Sequence, residues 1–199
     1  FWLGPNLDPD YAYLFNGLLI ATGRAPLHVD HPGTPVQELI ALVLRVAAGS
    51  APDLPRAVIA GPEEYLGMVR GVLLTLLLAA MAGAGALVAR ATGKVSAGLW
   101  MIASVLLTPM LLREALCVKP EPLLLMASLA VGALTLLAAA REGPTRWPVA
   151  LGIGVLTGVA ITAKVTALPL LALAVLAPRG WRARVASVGA TVISAALLL

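Results

Sequence analysis

Two carboxylates, Asp8 and Asp10, flank a proline in the stretch "LDPDYAYLFNGLL" (residues 7–19), with Tyr11 and Tyr13 beside them. An aspartate at a membrane surface can take a proton from a hydroxyl acceptor, which is the work of a general base. The same residues also suit a purely structural role, with Asp8 as helix cap, Pro9 in the first helical position and Asp10 at the positive end of the helix dipole. Both readings stay open. Further along, "HVDHPGTP" (residues 28–35) gathers His28, Asp30 and His31 just ahead of a helix start. Backbone N–H groups there, with His31 as a further donor, suit a phosphate. Two histidines and a carboxylate also admit a divalent metal, but no ligand geometry is established, so no metal site is assigned. A rigid turn with surface histidines is the plain alternative. "REALCVKPEP" (residues 113–122) adds Arg113, Lys119 and Glu121, and Lys164 stands alone between Ala163 and Val165. Side chains that snorkel from helix ends account for the first group. Lys164, with apolar runs on both sides, calls for a polar cavity or an anion.

The elements that must position these groups follow from composition. The chain of 199 residues is 60% hydrophobic and 12% charged, with a mean hydropathy of +0.94, which a soluble surface does not tolerate. The expected class is all-α, a polytopic membrane protein. The net charge of +4 reports topology rather than affinity for nucleic acid, because the basic residues fall in short loops between apolar runs. The lone Cys117 excludes an internal disulfide. Spans are expected over residues 71–89, 95–112 and 122–140, each near the ~20 residues needed to cross a bilayer. Residues 149–163 and 165–177 are read as a hairpin of two short helices, and 185–199 as the start of a truncated span. One continuous helix over 149–177 would bury Lys164 at mid-bilayer, at a cost of ~2.5–3.5 kcal/mol.

The hairpin puts Arg90 and Lys94, Arg141 and Arg146, and Arg179 to Arg184 on the cytoplasmic side, and Lys164 on the outer side with "REALCVKPEP". Residues 1–64 then form a first outer loop holding seven of the ten acids. Within it Tyr11, Leu14, Phe15, Leu18 and Leu19 share helical spacing, which predicts an interfacial helix. "TPVQ" announces a second, with Thr34 as N-cap, Pro35 at the first position and Gln37 closing a capping box, followed by Glu38 to Ala48. Residues 65–199 are the transmembrane part. A first residue of Phe1 and a last of Leu199 inside an apolar run read as cut ends, so a fragment, inactive alone, is expected.

This arrangement gathers cations (His31, Arg113, Lys119, Lys164) and acids (Asp8, Asp10, Asp30, Glu121) on one face, suited to a lipid-linked phosphate and a sugar. The order of "DPDYAYLFNGLL", "ATGRAP" and "DHPGTP", followed by short apolar hairpins, resembles the GT-C glycosyltransferase superfamily, in the branch of protein O-mannosyltransferases and lipid A aminoarabinose transferases. The resemblance implies inverting transfer of a sugar from a polyprenyl-phosphate donor to a hydroxyl acceptor at the outer face of a bacterial plasma membrane. It gives Asp8 or Asp10 the acceptor-activating role, and His31 and Lys164 the donor phosphate. Arg113 and Lys119 join them as phosphate-binding candidates, with Asp30, Glu121 and Tyr11 as further cavity residues. No cofactor is required, a divalent metal remains an option, and no nucleotide-binding loop is present. The alternative function is a secondary transporter or flippase for an anionic substrate, which places the substrate near the bilayer midplane; a non-catalytic assembly subunit would need only the capping and snorkelling roles.

Overall fold

A computed structural model describes residues 9–27, 34–48 and 53–198. Among the described residues the chain is all-α, with ten α-helices and one short 3-10 turn, Val165–Ala167. Two helices, α4 (Pro62–Thr92) and α7 (Pro120–Ala139), are long and apolar enough to cross a membrane. Shorter apolar helices are α5 (Val95–Leu106) and α8 (Trp147–Ala163). The remaining helices are α1 (Pro9–Ala21), α2 (Thr34–Ala48), α3 (Leu54–Ala60), α6 (Pro109–Ala115), α9 (Leu170–Leu176) and α10 (Trp181–Leu198).

Several boundaries differ from the sequence expectation for physical reasons. Helix α4 starts at Pro62 rather than near residue 71, because Pro62, Glu63 and Glu64 make a favourable first turn that an apolar-run criterion passes over. It ends at Gly93, whose φ of +70° is the left-handed conformation that closes a helix. The stretch 95–112 is broken. Pro109 has no N–H to continue the ladder and disfavours helix at the residue before it, so α5 stops at Leu106 and α6 restarts on Pro109. Helix α3, capped by Asp53 accepting the Arg56 N–H, has no counterpart in the expectation.

Helices α4 and α7 run side by side in the same direction: Leu66, Val69 and Leu73 meet Leu123 and Met126, and Ala84 and Val88 meet Leu129 and Ala133. Helix α5 returns along α4, with Gly85 and Gly98 so close that a Cβ on Gly98 would lie 2.3 Å from the Gly85 carbonyl. Helix α8 returns along α7, pairing Ile153 with Val131 and Ala160 with Ala127. After Lys164 the chain doubles back along α8, bringing Ala174 to Ile153 and Arg179 to Thr145. Helix α10 then lies against α8 on Gly154 and Gly158, where a Cβ would collide with the Ser187 carbonyl or the Ser194 hydroxyl. Small residues at such contacts let helix backbones approach closely.

This path sorts the charges. Arg90, Lys94, Arg141, Arg146, Arg179, Arg182 and Arg184 come to one end of the bundle, and Glu63, Glu64, Lys119, Glu121 and Lys164 to the other. Helices α1 and α2 pack together over the second end, with Gly17 against Ile40 and the Arg45 guanidinium donating to the Ala21 carbonyl and to the Ile20 carbonyl, which the Gly23 N–H also reaches, at the close of α1. The core of that cap joins Leu14, Leu18, Val36, Ile40 and Leu44 to Leu66, Val69 and Val118. It is buried apolar surface, worth ~25 cal/mol per Å2 removed from water, that fixes the start of α1 relative to α4 and α7.

Candidate functional site

Three chain segments meet where α1 begins, α7 begins and α8 ends. They enclose a cavity of about 200 Å3 lined by Pro9, Tyr13, Lys119, Pro120, Glu121 and Lys164. Each side chain arrives by a local rule. Pro120 occupies the first turn of α7, leaving Lys119 extended ahead of it and Glu121 at the positive end of the helix dipole. Helix α8 stops at Lys164, whose backbone is extended (φ −159°, ψ 129°), so the side chain leaves the helix axis. Pro9 and Tyr13 are four residues apart and therefore share one face of α1.

Lys164 Nζ donates to Glu121 Oε1 at 2.5 Å, with both side chains partly exposed. The second carboxylate oxygen, Oε2, is buried and has no hydrogen-bond partner among the described residues. Glu121 also borders a second cavity, of about 390 Å3 and largely apolar, with Met110, Leu111, Leu124 and Leu125 in its wall. One carboxylate therefore stands between a cationic pocket and an apolar one. The Tyr13 hydroxyl is held above its ordinary pKa, first by burial and then by the Glu121 carboxylate, and so stays a hydrogen-bond donor.

Asp10 sits beside this cavity without lining it. It is 3% exposed, its Oδ2 accepts from Arg70 Nη2 of α4 at 2.8 Å, and its Oδ1 accepts from the Val118 backbone N–H at 3.0 Å. Asp10 thus ties α1 to α4 and to the segment that presents Lys119 and Glu121. Tyr11 stacks on Phe15 with ring centroids 6.3 Å apart and donates to Glu63. It points to α4 rather than into the cavity, where Tyr13 stands instead. Arg113 is exposed on α6 and does not line the cavity. Asp8, Asp30 and His31 lie outside the described residues.

Of the candidates, Lys119, Glu121 and Lys164 come together. Tyr13 and Pro9 complete the wall, and the i, i+4 spacing of those two was the signal that could have found Tyr13. Among the described residues no cluster of three or more His, Cys, Asp or Glu could hold a metal ion. What the cavity can do is bind an oxyanion: two ammonium groups, a phenol donor and a carboxylate that holds one ammonium in place. No protein-family model, curated protein or solved structure matches the chain.

Proposed function

We propose that the chain is part of a membrane-bound glycosyltransferase that takes a sugar from a polyprenyl-phosphate donor and passes it, with inversion, to a hydroxyl acceptor at the outer membrane face. The observation that carries this reading is Glu121, which borders both the lysine-bearing cavity and the apolar one. A lipid-linked phosphate needs that adjacency, with cations for the phosphate and greasy walls for the chain. Lys119 and Lys164 would hold the donor phosphate and stabilise the charge that grows on it as the sugar leaves. Glu121 would hold Lys164 in position in the empty site.

The membrane placement has its own support. Trp147 and Trp181 are both largely exposed, and each opens its helix, α8 or α10, at the basic end of the bundle. Exposed tryptophans beside a basic surface mark a cytoplasmic membrane boundary. The cavity end is then the outer one, with α1 and α2 lying in the interface. The acceptor-activating carboxylate is Asp8 or Asp10. Asp10 commits both oxygens to Arg70 and Val118, so acting as a base would require it to release one. Arg113, Asp30 and His31 remain candidates for the outer rim of the same site.

Transport of an anionic substrate is the competing reading. It calls for coordination halfway along the helices, whereas Lys164 closes α8 and Glu121 opens α7. The test is transfer of labelled sugar from polyprenyl-phosphate donors by membranes carrying the protein or its Asp8→Asn, Asp10→Asn and Lys164→Met variants. Loss of transfer in Lys164→Met and in one Asn variant, at equal protein level, supports the enzyme. Undiminished transfer in all three contradicts it.

A further inference from the structure

We infer that the basic end of the bundle carries a pocket for the headgroup of an anionic phospholipid, formed by Arg141, Arg146 and the loop between them. The inference rests on the membrane placement proposed above. A cavity of about 280 Å3 lies there, lined by Arg141, Glu142, Thr145 and Arg146, with Leu137 and Val149 as its apolar edge. It is smaller than the ~300–1,000 Å3 of pockets that enclose drug-sized ligands, and it suits a compact phosphate group.

Loop charges on the cytoplasmic side need not form a walled cavity; these do. Gly143 turns the loop at φ +83°. The following loop braces it from behind. Thr145 N–H donates to the Arg179 carbonyl at 3.0 Å, Arg179 N–H donates to Thr145 Oγ1 at 2.8 Å, and Arg179 Nη1 donates to the Arg141 carbonyl at 2.7 Å. Arg179 thus serves as a strut, while Arg141 and Arg146 form no side-chain hydrogen bond or ion pair among the described residues. Two guanidiniums free to bind in a fixed frame match a phosphate. Trp147, 56% exposed, stands directly after Arg146 and sets the pocket at headgroup depth. Glu142 would repel a bare phosphate but can accept from a headgroup hydroxyl, which favours phosphatidylglycerol over phosphatidic acid. Basic pockets between spanning helices on this side are suited to such lipids.

The test uses the 199-residue chain with Trp147 as its one tryptophan (Trp2→Phe, Trp100→Phe, Trp181→Phe), reconstituted in phosphatidylcholine bilayers. Quenching by acyl-brominated phosphatidylglycerol is compared with quenching by brominated phosphatidylcholine. The expected result is a preference for phosphatidylglycerol of about tenfold. It should be lost in Arg141→Gln/Arg146→Gln, restored only in part in Arg141→Lys/Arg146→Lys, which keeps the charge without the guanidinium fork, and kept in the control Arg90→Gln/Lys94→Gln. Equal quenching by the two lipids overturns the pocket and leaves the membrane placement standing. Equal loss in the control overturns it too, since the preference would then be diffuse surface charge. Displacement of the lipid by millimolar inorganic phosphate replaces the lipid site with a soluble-anion site. Absence of quenching by either lipid refutes the membrane placement and the pocket with it.

Discussion

The end of the bundle built by α1, the start of α7 and the close of α8 pairs its charges, Asp10 with Arg70 and Glu121 with Lys164. The loops at the other end leave Arg141, Arg146 and Arg182 without an ion pair among the described residues, although Arg182 lies over the Trp181 ring at 5.7 Å. The contrast separates two uses of charge. Charges paired across distant segments shape a cavity and hold its groups in place. Charges left open beside the exposed Trp147 and Trp181 are available to something outside the chain. The first arrangement suits chemistry on a bound substrate, the second contact with an anionic surface.

Four changes bear on that contrast. The largest effect is expected for Lys164→Met, which removes a cation of the cavity that the proposed function assigns to the donor phosphate. Sugar transfer should fall about 100-fold, as for loss of one preorganised donor, while Arg141→Gln at the other end leaves the rate unchanged; initial rates in membranes at matched protein level measure both. Next is Asp10→Ala. It strands the buried Val118 N–H and removes the Asp10 carboxylate from Arg70, so a loss of about 2 kcal/mol is expected in denaturant unfolding. A similar stability for Asp10→Ala and wild type would remove Asp10 from its linking role.

Smaller is the titration of Tyr13. Its pKa is raised, so the folded state holds this proton more tightly than the unfolded chain, and the stability it contributes is present below pH ~10 and lost as pH climbs through the higher folded value. Absorbance titration should show a late-ionising component that Tyr13→Phe removes, and Glu121→Gln should bring it only part of the way back, because burial is the larger cause. Smallest is Arg182→Gln, at the open end, where a change within about 0.5 kcal/mol is expected in the same unfolding assay. A larger loss there would mean that Arg182, like Arg179, braces the basic end rather than standing open.

The all-α character was legible in the apolar runs, and the onset of α1 and α2 in Pro9 and in the "TPVQ" stretch. The long reach of α4 back to Pro62 was not, because a glutamate-bearing first turn is helical without being apolar. The break before Pro109 had its signal in the proline itself, overlooked beside the uncharged residues around it. Within the site, Lys119 and Glu121 are neighbours in sequence, and Lys164 stood out as a lone charge in an apolar stretch. Their meeting could not be read, since Lys164 and Glu121 are 43 residues apart and Asp10 and Arg70 are 60 apart. Such pairs are decided by how α1, α4, α7 and α8 pack, and a single sequence carries no direct record of that. The choice of Tyr11 over Tyr13 has the same cause: both flank the aspartates, and only the packed face of α1 tells them apart.

The most direct test of the account compares the two ends in one binding measurement. Radiolabelled polyprenyl phosphate is titrated into the reconstituted wild type, a cavity variant (Lys119→Met/Lys164→Met) and a basic-end variant (Arg141→Gln/Arg146→Gln). The account predicts saturable binding to the wild type, weakened at least about tenfold in the cavity variant and unchanged in the basic-end variant. Binding that is absent from the wild type, or that survives in the cavity variant and falls in the basic-end one, would contradict it.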